Sequence, residues 1–131
     1  MSIRLILDTS ALTAYIAGDT RALHIGELIA IVHEGGNNVA APALCVLAAH
    51  QATTDTEQRR ELLDFVADAG DVLLLPLLAD DVPDVAELSD TLHPDQRAHA
   101  AHAAITYGAL LATYDRAHYT RELPADDILD L

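Results

Sequence analysis

The chain has 131 residues, is 51% hydrophobic, carries one cysteine and no lysine, and has a formal net charge of −14; this suits one domain with a single core, and no second domain is expected. The lone Cys45 excludes a disulfide framework and a cysteine metal cluster, and the absence of lysine excludes Schiff-base chemistry, a Walker-type phosphate loop and Asp–Lys phosphoryl sites. The acidic excess repels nucleic acid unless positive charge is concentrated locally or supplied by metal ions, and it suits a basic partner protein or simple solubility.

No apolar stretch approaches the roughly 18 residues needed to cross a bilayer. With Met1 followed almost directly by an apolar run, a soluble, cytoplasmic protein without membrane contact is expected.

Ile3-Arg4-Leu5-Ile6-Leu7 reads as a strand buried on both faces. Asp8 stands at its carboxyl end, where open α/β sheets place their ligand crevice, and is followed by Thr9 and Ser10. Leu12, Tyr15 and Ile16 predict a short helix ended by Gly18. Asp19 or Thr20 then caps a second helix carrying Leu23, Ile25, Leu28 and Ile29, which stops at Gly35-Gly36.

Val39-Ala40-Ala41 is a second short strand, and Pro42 stands in the first turn of a helix running to about His50. Cys45, between Leu44 and Val46, reads as a buried thiol acting as a small hydrophobe. Residues 55–69 form an amphipathic helix, Val72 to Leu77 a third strand, and Asp80 to Leu92 an acidic helix with Val85 and Leu88 facing inward.

Pro94 opens an alanine-rich helix to Tyr107, closed by Gly108, with Ala98, Ala101, Ala104 and Ile105 expected as its buried stripe. Ala109 to Ala112 is a fourth strand leading into Thr113-Tyr114-Asp115. A helical turn around Arg116 to Tyr119 precedes a terminal strand, Ile128 to Leu131. Strands alternating with helices predict a parallel sheet covered on both faces, a three-layer α/β/α sandwich.

Asp115 repeats the situation of Asp8, so both carboxylates are expected along one sheet edge. If the first and fourth strands are neighbours, Asp8 and Asp115 with the hydroxyls of Ser10 and Thr113 make an oxygen-rich crevice suited to Mg²⁺ or Mn²⁺. Taken singly, each aspartate also reads as a helix cap, worth roughly 1 kcal/mol.

Leu7-Asp8-Thr9-Ser10-Ala11-Leu12, Val39-Ala40-Ala41-Pro42-Ala43-Leu44 and Leu111-Ala112-Thr113-Tyr114-Asp115 together resemble the PIN-domain nucleases, most closely the small toxin ribonucleases of VapC type. The resemblance covers nearly the whole chain in element order, and it implies a single PIN-like domain over residues 1–131 with strand order 3-2-1-4-5. It further implies three or four acidic residues that bind one or two Mg²⁺ or Mn²⁺ ions and activate a water for RNA cleavage. Asp8 matches the first acidic position and Asp115 the last, the catalytic and metal-holding pair, with Ser10 and Thr113 as polar companions.

Two departures stand against these matches. Six residues on from Pro42, where the family has its Glu, the chain has Ala48; the Asp that opens the following helix falls at Arg97. Asp8 and Asp115 alone supply −2, too little to offset two divalent ions, so at most one weakly held Mg²⁺ or Mn²⁺ is expected, completed by waters and a substrate phosphate. Arg97 is expected to pair internally with the two aspartates, since −2 against +1 needs no ligand; the alternative is a bound phosphate.

Asp95, His99 and His102 share a helical face that could hold a transition metal. A solvated or edge-of-core face, with His102 partly buried, is the expected reading.

The reading reached from sequence is a VapC-type, PIN-like protein with nuclease activity weak or lost, acting through protein contacts, either as a homodimer or with a basic, antitoxin-like partner. The alternative is an active divalent-metal-dependent ribonuclease toxin, for which RNA would be the substrate.

Overall fold

The computed structural model describes residues 2–67 and 70–131. Five strands, β1 (Ile3–Leu7), β2 (Asn38–Pro42), β3 (Leu73–Leu75), β4 (Leu110–Thr113) and β5 (Ile128–Asp130), form one sheet in the order β3-β2-β1-β4-β5. Every pairing is parallel. This is the order expected from the resemblance, and it makes β1 and β4 neighbours, with Leu7 opposite Ala112. The residues just beyond them, Asp8 and Thr113, are therefore adjacent at the carboxyl edge.

Six helices, α1 (Thr9–Ala17), α2 (Thr20–Glu34), α3 (Ala43–Ala52), α4 (Thr56–Phe65), α5 (Val82–Ser89) and α6 (Asp95–Tyr107), flank the sheet as the two outer layers of the α/β/α arrangement. Their ends follow local chemistry. Asp8, Asp19 and Asp55 each accept a hydrogen bond from a backbone N–H of the helix they precede, and Gly18 and Gly108 close α1 and α6 at φ of 75° and 59°, a backbone region that costs a residue with a Cβ about 1 kcal/mol or more. Because both sheet faces are covered, Leu5, Ile6, Leu7, Val39, Ala40, Ala41, Leu111 and Ala112 are all buried.

Several expectations need correction. The third strand spans Leu73–Leu75 alone, since Pro76 brings no N–H to the ladder and the chain then turns away. The helix expected from Asp80 splits into a 3₁₀ turn, Ala79–Asp81, and α5, which ends at Ser89. The amphipathic helix expected over 55–69 ends at Phe65, and its last two positions, 68 and 69, lie outside the described residues.

Helix α6 is buried on more of its circumference than a single stripe allows. Ala98, His99, Ala100, Ala101, Ala103 and Ala104 are all covered, whereas Ile105 is 56% exposed. Alanines let the helix lie close to β1, β2 and β4 on one side and α3 and α5 on others, and Ile105 falls on the remaining outward line. An apolar period drawn through alanines cannot mark which side faces the sheet, because small residues tolerate every side.

Candidate functional site

Asp8 is held by the end of β1 and the start of α1, and its side chain is 3% exposed. A carboxylate at that depth is tolerable only when its oxygens are satisfied, and both are. Oδ1 accepts from Ser10 Oγ at 2.6 Å and from the Ala11 N–H at 3.0 Å. Oδ2 accepts from Thr113 Oγ1 at 2.7 Å and from the Tyr119 phenol at 2.9 Å. Four donors on two oxygens match an ionised, acceptor-only carboxylate.

The companions are locked in turn. Ser10 Oγ receives the Tyr114 N–H at 2.9 Å and Thr113 Oγ1 receives the Asp115 N–H at 2.9 Å. Each hydroxyl has one proton, and both protons are directed at Asp8, so the 3.3 Å approach of Ser10 Oγ to Thr113 Oγ1 is a contact between two oxygens whose hydrogens point elsewhere. The hydroxyls thus staple the start of α1 to the end of β4.

Asp115 is brought to the same edge, as expected, but through its backbone. Its N–H joins the Thr113 hydroxyl, and it precedes the 3₁₀ turn Arg116–His118 without a side-chain capping bond. Its carboxylate is half-buried and takes no hydrogen bond or ion pair among the described residues. The capping alternative holds for Asp8, whose Oδ1 takes the Ala11 N–H, and is overturned for Asp115.

The internal pair expected of Arg97 is also overturned. Its guanidinium donates to the His93 carbonyl, one turn back along its own chain, and bonds to neither aspartate. A carbonyl at i−4 lies within reach of an arginine in the first turn of α6, and both Asp8 oxygens already have partners. Arg97 does add positive charge near the Tyr119 phenol, easing its ionisation slightly. Ala48 is half-buried on α3 and offers no polar atom to the site.

Tyr119 is the participant that sequence reasoning passed over, treating it as the end of a turn. Its ring is 1% exposed, and its N–H and C=O are fixed by the Arg116 carbonyl at 3.0 Å and the Leu123 N–H at 2.9 Å. Arg116 holds the same loop by reaching the carbonyls of Ile128 and Ala125. Burial first, then the nearby Asp8 charge, pushes the phenol's pKa far up, so it stays a donor. A tyrosine four residues past the strand-end aspartate is the one local signal, and it carries no hint of a partner 111 residues away.

Of the one or two ions that the resemblance implies, the donor set does not fit a pair. Among the described residues no three His, Cys, Asp or Glu side chains come together as a metal-holding group. The Asp8 oxygens are turned to the chain's own hydroxyls.

The histidine face also differs from expectation. His99 is 2% exposed rather than at the edge of the core, and its Nδ1 accepts the Leu44 N–H at 3.4 Å. Burial, and then the nearby His102, hold its pKa below the usual imidazole value. His102 is half-buried as expected and meets Asp81 Oδ1 at 3.2 Å. Cys45 is buried as expected, its Sγ 3.2 Å from the Gln96 carbonyl, and burial pushes its thiol up to about 12.

Sheet order, the adjacency of β1 and β4 and the aspartates at their carboxyl ends define a PIN-like architecture. The chain is similar in structure to VapBC2 from Rickettsia felis, bound in that structure to a DNA fragment from its promoter, with 17% identity, TM-score 0.67 and 98% of each chain covered. It is similar also to PAE2754 from Pyrobaculum aerophilum, with 18% identity, TM-score 0.66, and 99% of this chain and 92% of that one covered. FitAcB from Neisseria gonorrhoeae matches at 13% identity and TM-score 0.63, over 88% of this chain and 91% of that one. No protein-family model and no curated protein matches the sequence. Among the described residues, no helix is long and apolar enough to cross a membrane.

Proposed function

We propose that this is a PIN-like protein related to VapC-type toxin ribonucleases whose acidic site has become a structural hub, with nuclease activity weak or lost. Its role runs through contact with a basic, antitoxin-like protein. The observation that carries the reading is the hydrogen bond from Tyr119 to Asp8 Oδ2 at 2.9 Å, which completes the coordination of a buried carboxylate by protein donors.

A divalent ion at Asp8 would have to displace hydroxyl donors, each worth about 1.5–3 kcal/mol to a charged acceptor. It would find Asp115 as its second carboxylate, too little negative charge for a pair of ions. The −14 charge suits a basic partner and opposes a polyanionic substrate.

The test is RNA cleavage in Mg²⁺ and in Mn²⁺ by the intact protein beside Asp8→Asn. Equal, background-level cleavage by both is expected. Turnover that Asp8→Asn abolishes would overturn the reading in favour of a working metal-dependent ribonuclease, which the retained grouping of Asp8, Ser10, Thr113 and Asp115 at one sheet edge supports as the second reading.

A further inference from the structure

Helices α5 and α6 pack against each other and leave a groove of about 630 Å³ on their outer side. On α5, Asp84, Glu87 and Leu88 fall at i, i+3 and i+4 and so share the face that lines it. On α6, Ile105 lines it from the opposite side, 56% exposed, and Asp90 and Glu122 complete its rim. The lining thus combines two aliphatic side chains, which we call its floor, with four carboxylates at its rim, beside Thr91, Thr106 and the half-buried His102; of the carboxylates, Glu122 already accepts the Thr91 hydroxyl at 2.6 Å. The ion pairs among the described residues, Arg21–Asp19, Arg60–Glu57 and His102–Asp81, involve none of the rim carboxylates.

We infer that this groove is the docking surface for a cationic amphipathic segment of a partner protein, one that places an aliphatic side chain on Ile105 and Leu88 and arginines or lysines against Asp84, Glu87 and Asp90. The inference rests on the reading that the protein acts through a partner, and adds where that partner binds and with what chemistry. Charge complementarity selects the occupant. An RNA would set its phosphates against the rim carboxylates. A second copy would bring another chain of net charge −14 with no lysine to meet them, and like charges facing each other cost affinity. A small cation would leave the aliphatic floor wet. A basic helix or strand with one apolar edge satisfies floor and rim together.

The test uses the full chain and a fluorescein-labelled synthetic peptide of Leu, Ala and Arg with its leucines on one helical face, beside a scrambled peptide of identical composition. The amphipathic peptide should bind more tightly than the scrambled one, with affinity falling as salt is raised. The triple variant D84N/E87Q/D90N should weaken it roughly tenfold, and Ile105→Ala by about threefold. Thermal unfolding should stay unchanged in both variants, because these side chains sit on the surface.

Equal binding of the two peptides, or variants that bind like the wild type, would overturn the groove by reducing the effect to general attraction or to another surface. Absence of peptide binding would overturn it as well. So would displacement of the peptide by an RNA oligonucleotide, or self-association that Ile105→Ala abolishes. RNA turnover lost in Asp8→Asn would overturn the proposed function yet leave the groove standing, so the two failures are distinguishable.

Discussion

The Tyr119 hydroxyl donates to Asp8 Oδ2 at 2.9 Å across 111 residues of chain, with both side chains buried. That bond ties the loop after β4 to the first strand end, and it makes an aspartate at the carboxyl edge of the sheet part of the core.

Tyr119→Phe keeps the ring's packing and removes one donor from a buried charge. A loss of about 1.5–3 kcal/mol in urea unfolding is expected. A change below about 0.5 kcal/mol would mean that the phenol contributes little to Asp8.

Asp8→Asn and Asp115→Asn separate the two aspartates. At Asp8 the amide keeps one acceptor oxygen and turns an NH₂ toward hydroxyls that were themselves donating, so a loss of about 2–3 kcal/mol is expected. The Asp115 carboxylate has no hydrogen-bond or ion-pair partner among the described residues, and its replacement should stay within about 0.5 kcal/mol. Equal losses in the two variants would argue against a structural role peculiar to Asp8.

The buried His99 predicts acid sensitivity. Its folded pKa lies below the unfolded value of 6.5, because burial and then His102 disfavour the charged ring. Above pH 6.5 both states hold it neutral and the stability is complete. As pH falls below 6.5 the unfolded chain takes up a proton that the folded chain does not, and stability drops by up to about 1.4 kcal/mol per pH unit until the folded pKa is passed. Urea midpoints at pH 7.5 and 5.5 should differ, and His99→Gln should reduce the difference. Asp81, whose pKa is lowered first by the Leu78 N–H and then by His102, acts in a separate window: its contribution is lost only as pH falls below the unfolded carboxylate value of 3.8.

Cys45, with its thiol pushed up to about 12 and no exposed surface, should resist alkylation in the native state and react promptly in urea. Iodoacetamide labelling followed by mass spectrometry reads this directly. Fast native labelling would show that α3 opens away from α6.

Much of the fold was legible in the residues because its signals are local. The Ile3–Leu7 run, the N-capping aspartates at 8 and 19, and Gly18 and Gly108 each act within a few positions. Alternating strand and helix then led to a parallel sheet, and in such a sheet Asp8 and Asp115 fall at the same edge. Local pattern failed where small residues erase periodicity, as in α6, or where a proline and a change of direction cut a strand short, as at Leu75-Pro76.

Charge, strand ends and caps are properties of neighbouring residues, so the sequence by itself marked the strands and the two aspartates at their carboxyl ends, while the adjacency of β1 and β4 was settled by the fold. Which donors those aspartates meet is a question of three-dimensional proximity. Only the tertiary structure could bring Tyr119 to Asp8 and leave no acceptor on Asp8 free for Arg97. A buried carboxylate takes the donors that folding carries to it, however far away in the chain they begin.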